Sequence, residues 1–151
     1  MTKGVAWAVP AVAVASAAPK IAASPIVTVS QAGSACKLPG NSCAPQWSKG
    51  YLQPLRICNN STVSITVTIT TPAYLTFNGV STQFTPNPAS FTLASKGCKD
   101  VVLNLNLQDN SQQSSITGAL NWSYTSTDGQ SGTGTTSINT AQTPPCVNCT
   151  V

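Results

Sequence analysis

The chain has 151 residues and a net charge of +4. Charged side chains are 7% of it, hydrophobic ones 41%, and more than a third of the chain is Ser, Thr, Asn or Gln. There is no His, which removes Ser-His-Asp and Cys-His nucleophiles and any His-ligated metal site. Asp100, Asp109 and Asp128 are the only carboxylate side chains, so a two-carboxylate glycosidase or a Mg²⁺ site has almost nothing to be built from. From Ser24 onward five bases face three acids, too even a balance for the basic stripe that binds nucleic acid. The expectation is a folded protein without catalytic residues, metal, cofactor or nucleic-acid partner.

In chain order, residues 1–24 come first. Gly4 to Ala18 read GVAWAVPAVAVASAA, an apolar run interrupted by Pro10. It is shorter than the roughly 20 residues of a membrane-spanning helix and suits the core of an export signal. Lys3 supplies a thin basic start, and Ala15-Ser16-Ala17 or Ile21-Ala22-Ala23 a small-residue cleavage pattern. Contact with a membrane is then transient, through the leader. If the segment is kept, Val5, Trp7, Val9, Val12 and Val14 form an assembly strand that completes the sheet of a neighbouring subunit. The stretch KGVAWAVPAVAVASAAPKIAASP resembles the export leaders of actinobacterial secreted and surface proteins, although no Arg precedes Arg56. The resemblance implies a secreted, cell-surface location.

From residue 25 onward the pattern has period two. Thr62 to Thr70 alternates Val63, Ile65, Val67 and Ile69 with Ser or Thr, which reads as a strand with one wet face. Val101, Leu103, Leu105 and Leu107 share one face of a second strand, and Ile116, Leu120, Trp122 and Tyr124 share one of a third. Weaker strands are Ile26 to Val29, Tyr51 to Cys58, Tyr74 to Phe77, Ser90 to Leu93 and Gly134 to Ile138. Turns are expected at Asn59-Asn60-Ser61, Thr85-Pro86-Asn87-Pro88, Ser95-Lys96-Gly97 and Asp128-Gly129. Seven to eight short antiparallel strands in this space predict an all-β sandwich over 25–145, followed by a Cys-containing tail, 146–151.

Cys36, Cys43, Cys58, Cys98, Cys146 and Cys149 make an even set and read as a disulfide framework rather than a zinc site. Cys36–Cys43 is the expected local bridge, across the Pro39-Gly40 tip. Cys58 and Cys98, each at a strand–turn junction, are the expected long-range pair. Cys146 and Cys149 either bridge each other or pin the tail to the body.

ICNNSTVSITVTI and FTLASKGCKDVVLNLNL resemble strand–turn–strand units of bacterial Ig-like domains, the first as a hairpin. The match implies an Ig-like antiparallel sandwich, disulfide-stapled, preceded by the apolar leader. Trp47 precedes Cys58 and Trp122 follows Cys98, so the usual Ig core Trp between bridged cysteines is not met and strand order stays open. Trp47, Lys49 and Tyr51 form a candidate binding cluster, two aromatics with a Lys that suit stacking on a ring. The reading is a non-catalytic extracellular structural or adhesive module, a self-assembling, pilus-like fibre subunit using its N-terminal segment for strand exchange. Its partners are copies of itself or a cell-surface partner. The alternative is a secreted monomeric binding protein or inhibitor.

Overall fold

The computed structural model describes residues 25–39, 50–105 and 113–147. Ten antiparallel strands account for their regular structure, and no helix occurs among the described residues. In chain order they are β1 (Val27–Gln31), β2 (Cys36–Lys37), β3 (Tyr51–Asn59), β4 (Ile65–Ile69), β5 (Ala73–Phe77), β6 (Val80–Asn87), β7 (Ser90–Leu93), β8 (Cys98–Leu105), β9 (Ile116–Ser126) and β10 (Ser131–Thr140).

Two sheets pack face to face. In the first, β1 and then β2 lie along one side of β3, and β8 lies along the other. In the second, β10 pairs with one side of β9, and β4 and β5 follow one another along the other side. β7 borders β4. The strand β6 belongs to both sheets: Val80 to Phe84 pair with β5, then Thr85 to Asn87 pair with β8. The expected turn at Thr85-Pro86-Asn87 is therefore strand. Pro86 is tolerated because this half of β6 is the edge of its sheet, where one row of backbone donors is not needed. Pro54 sits in β3 where β1 has ended and β2 has not begun, so its missing N–H costs no ladder bond.

Strict alternation decides the core. Ile65, Val67 and Ile69 from β4, Leu55 and Ile57 from β3, and Val101, Leu103 and Leu105 from β8 are all buried in one cluster with Ile116 and Leu120. Burial of each such side chain stabilises by roughly 1.5–3 kcal/mol. Trp122 and Tyr124 share that face but are only partly buried against the cluster. Val63 is partly exposed and precedes β4, and Leu107 lies outside the described residues.

ICNNSTVSITVTI does not form a hairpin, because β3 and β4 belong to different sheets. Residues 60–64 cross between the sheets, and residues 94–97 cross back from β7 to β8. The two crossovers lie side by side. Asn59, fully buried, joins them: its Nδ2 donates to the Val63 carbonyl at 2.7 Å and the Ala94 carbonyl at 2.9 Å, and its Oδ1 accepts from the Ser61 N–H at 2.9 Å. Asp128-Gly129 does close a hairpin, between β9 and β10, with Gly129 at φ +86°.

Candidate functional site

The candidate site is the outer edge of β10. This ten-residue strand, SGTGTTSINT, carries no charge and no Pro, and among the described residues it pairs along its length with β9 alone. Two hydrogen bonds fix which peptide groups face outward. The Asn139 N–H donates to Oε1 of Gln31 on β1 at 3.0 Å, away from β9. The Asn121 carbonyl, paired in register with Thr135, accepts from Thr70 on the far side of β9 at 3.0 Å. Peptide groups alternate in direction along an antiparallel strand. The N–H and C=O groups of Ser131, Thr133, Thr135 and Ser137 therefore point out of the sheet.

The sandwich is closed beneath this edge by two aromatic rings lying across glycines. Gly134 faces Trp122 and Gly132 faces Tyr124 in register. A Cβ on Gly134 would sit 2.2 Å from the Trp122 ring, and one on Gly132 would sit 2.7 Å from the Tyr124 ring. Trp122 Nε1 donates to Thr136 Oγ1 at 3.0 Å. At the C-terminal end of β10 the edge is stopped by Gln31, whose Nε2 also donates to Thr140 Oγ1 at 3.1 Å. Thr140 Oγ1 in turn donates to the buried Gln53 at 2.8 Å. A polar cleft of about 870 Å³ opens beside this network, and no titratable side chain among the described residues lines it. It offers amides and hydroxyls for hydrogen bonding, not acid–base chemistry.

The sequence-predicted residues divide as follows. Cys58 and Cys98 are bonded, as directly opposed residues of β3 and β8. The expected Cys36–Cys43 bridge is not formed: Cys36 is bonded to Cys146, 110 positions away. The tail explains this. It runs along β2, with Lys37 N–H on the Pro144 carbonyl at 2.7 Å and Cys146 N–H on the Lys37 carbonyl at 2.8 Å, which sets Cys146 against Cys36. The bridge packs with Leu38 and Leu52 in a small cluster on the outer face of the first sheet. Cys43 and Cys149 lie outside the described residues.

Of the candidate binding cluster, Tyr51 is fully buried, with its ring centroid 4.7 Å from that of Phe77. It has no face to offer a ligand, because its parity on β3 turns it into the core. Trp47 and Lys49 lie outside the described residues, as do Val5, Trp7, Val9, Val12 and Val14. Among the described residues no group of three or more Cys, Asp or Glu side chains is placed to hold a metal. No described helix is long and apolar enough to cross a membrane. The β10 edge and its Gln31 stop were missed in the sequence. Their signal is the Gly-x-Gly spacing in register with Trp-x-Tyr, visible once the Asp128-Gly129 hairpin is placed.

The fold is an Ig-like antiparallel β-sandwich. No protein-family model and no curated protein matches the chain. Among solved structures it is similar to the ASH/PapD-like domain 7 of human CEP192. The two share 15% identity over 91% of this chain and 100% of that one, with a TM-score of 0.50. A likeness at that identity speaks for fold alone.

Proposed function

We propose that the chain is an exported, non-catalytic Ig-like structural module, of the actinobacterial surface type, that joins to copies of itself by strand addition at β10. The apolar segment of Val5, Trp7, Val9, Val12 and Val14 in one copy is the donor strand, and Ser131 to Ser137 of the next is the acceptor. The observation that carries this reading is the uncharged edge of β10. Such edges template pairing with another chain unless Lys, Pro or a covering loop blocks them.

Three further features support it. The chain enters the sandwich at Pro25, whose carbonyl accepts from Asn60, and the β9–β10 turn is held to the neighbouring Ser64 by Thr127. The 24 preceding residues thus leave from the end where β10 begins, with an extended reach of roughly 80 Å. The two disulfides among the described residues are consistent with an extracellular protein. The described carboxylates are engaged structurally, Asp100 with Arg56 at 3.0 Å and Asp128 with the Ser126 hydroxyl, which accords with a non-catalytic role. A head-to-tail contact of this kind propagates into a fibre unless it closes into a ring.

The test combines N-terminal sequencing of the exported protein with light scattering and electron microscopy. The segment is expected in place, the full chain in assemblies, and a chain lacking residues 1–24 as a folded monomer. Thr133→Pro removes an outward N–H without touching the β9 ladder, and is expected to keep the fold and abolish assembly. A full-length chain that is monodisperse and monomeric overturns the reading in favour of a secreted monomeric binding protein. That alternative has already lost Tyr51 as a stacking group.

A further inference from the structure

We infer that the outer face of the second sheet is a docking surface for a neutral polysaccharide, with Tyr74 as its stacking platform. This face goes beyond the strand-addition reading and does not depend on it. β4, β5, β7, β9 and β10, together with the β5-paired part of β6, contain no Asp, Glu, Lys or Arg. The described charges lie elsewhere: Arg56 and Asp100 pair on the first sheet, and Lys37, Lys96, Lys99 and Asp128 sit on β2, β8 or in turns. In place of charge the face carries ranks of hydroxyls and amides. Thr66 meets Thr92 at 3.2 Å, Thr68 meets Ser90 at 3.0 Å, and Thr135 meets Asn121 at 2.9 Å.

Two features turn this face into a site. The first is a depression of about 390 Å³ where the neighbour strand of β9 is interrupted between β4 and β5, lined by Thr70, Asn121, Ser123, Thr133 and Thr135. The second is Tyr74, 56% exposed and the one large exposed aromatic among the described residues. It stands on the outward parity of β5, opposite Gln83. Continuing the β5–β9 register from Thr76↔Thr117 places Ala119 beside it, a side chain too small to cover the ring. In the β9 register Thr70 falls beside Asn121 and Tyr74 beside Ala119, two positions apart, about 7 Å at strand rise, so the ring and the depression adjoin and can serve neighbouring sugar rings.

The chemistry selects the occupant. A sugar ring presents an apolar C–H face to an aromatic and equatorial hydroxyls to amides and hydroxyls. A nucleic acid or acidic glycan finds no cation among the described residues of this face. A stable protein partner wants an apolar centre rather than one Tyr among hydroxyls.

The experiment is native affinity electrophoresis of the full chain in gels cast with mixed-linkage β-glucan, galactomannan or glycogen. Calorimetry at low and high NaCl follows. At least one neutral polymer is expected to retard the chain, with affinity unchanged by salt because no ion pair forms. Tyr74→Ala is expected to weaken binding at least tenfold and Asn121→Ala several-fold, whereas Tyr74→Phe retains it and assembly is unaffected by any of the three. The inference is overturned if no neutral polymer retards the chain, if Tyr74→Ala binds as the parent does, or if only anionic polymers bind and salt releases them. Capture of a protein partner through Tyr74 without polysaccharide binding overturns it equally.

Discussion

Asn59 concentrates more structural duty than any other polar side chain described. It is buried, donates to Val63 and Ala94, and accepts from Ser61 through both the backbone N–H and the hydroxyl. Removing it takes one donor from each of two carbonyls, which keep the Ser61 hydroxyl on Val63 and the Gly97 N–H on Ala94, and leaves the Ser61 N–H without its acceptor. Asn59→Ala is expected to destabilise the sandwich by about 2–3 kcal/mol, through the loss of two donated and two accepted bonds at about 0.5–1.5 kcal/mol each, read as a lowered urea midpoint with unchanged slope. Asn59→Asp keeps the acceptor but loses both donations and buries a charge, so it should be worse. Gly134 makes the complementary case through volume. Its Cα hydrogens are what allow Trp122 to lie across β10. Gly134→Val must expel the ring and break its bond to Thr136, costing about 1–3 kcal/mol as overpacking does. Loss of near-ultraviolet circular dichroism would report the displaced ring.

At the scale of elements, alternation made some strands readable and composition hid others. β4, β8 and β9 are legible because Ile65, Val67 and Ile69, then Val101, Leu103 and Leu105 repeat every second residue, Ile116 and Leu120 share one parity across Gly118, and all reach the core. β6 is not, because it changes partner midway. Its buried residues Phe84 and Pro86 are flanked by exposed Thr85 and Asn87, and a Pro–Asn–Pro run looks like a turn when the second sheet is unknown. The crossover at Asn59 likewise reads as a hairpin, since local sequence marks a change of direction without saying which sheet receives the next strand. β4 supplies the sharpest test of parity. Val67→Asp places an unpaired carboxylate in the fully buried cluster and is expected to unfold the domain. Thr66→Asp, one residue away on the outer face and bonded only across to Thr92, should change the melting midpoint by a degree or two. Thermal denaturation of the pair decides the inward assignment.

For the whole molecule, both described bridges decorate the outer side of one sheet rather than tying the two sheets together. Cys58 and Cys98 face each other across the β3–β8 ladder on the outward parity of both strands. The Cys36–Cys146 bridge clamps the tail over Leu52 and Leu38. This explains why the pairing of Cys36 was illegible: a short polar loop to Cys43 is a sufficient geometric argument only while the path of the tail is unknown. It also separates what each bridge does. Cys58–Cys98 closes a loop of 40 residues inside the sandwich, so Cys58→Ser with Cys98→Ser is expected to lower global stability by about 4 kcal/mol in the chain-entropy account. Cys36–Cys146 instead holds a short tail segment that two backbone bonds join to Lys37. Cys36→Ser with Cys146→Ser should therefore act in two stages. The amides at positions 143, 146 and 147 lose protection first, by local opening that leaves β3 and β8 protected, and global unfolding follows at a lower midpoint. Hydrogen exchange measured beside the melting curve separates the two. If the tail and the central strands lose protection together, the clamp is part of the sandwich core and not a staple on its surface.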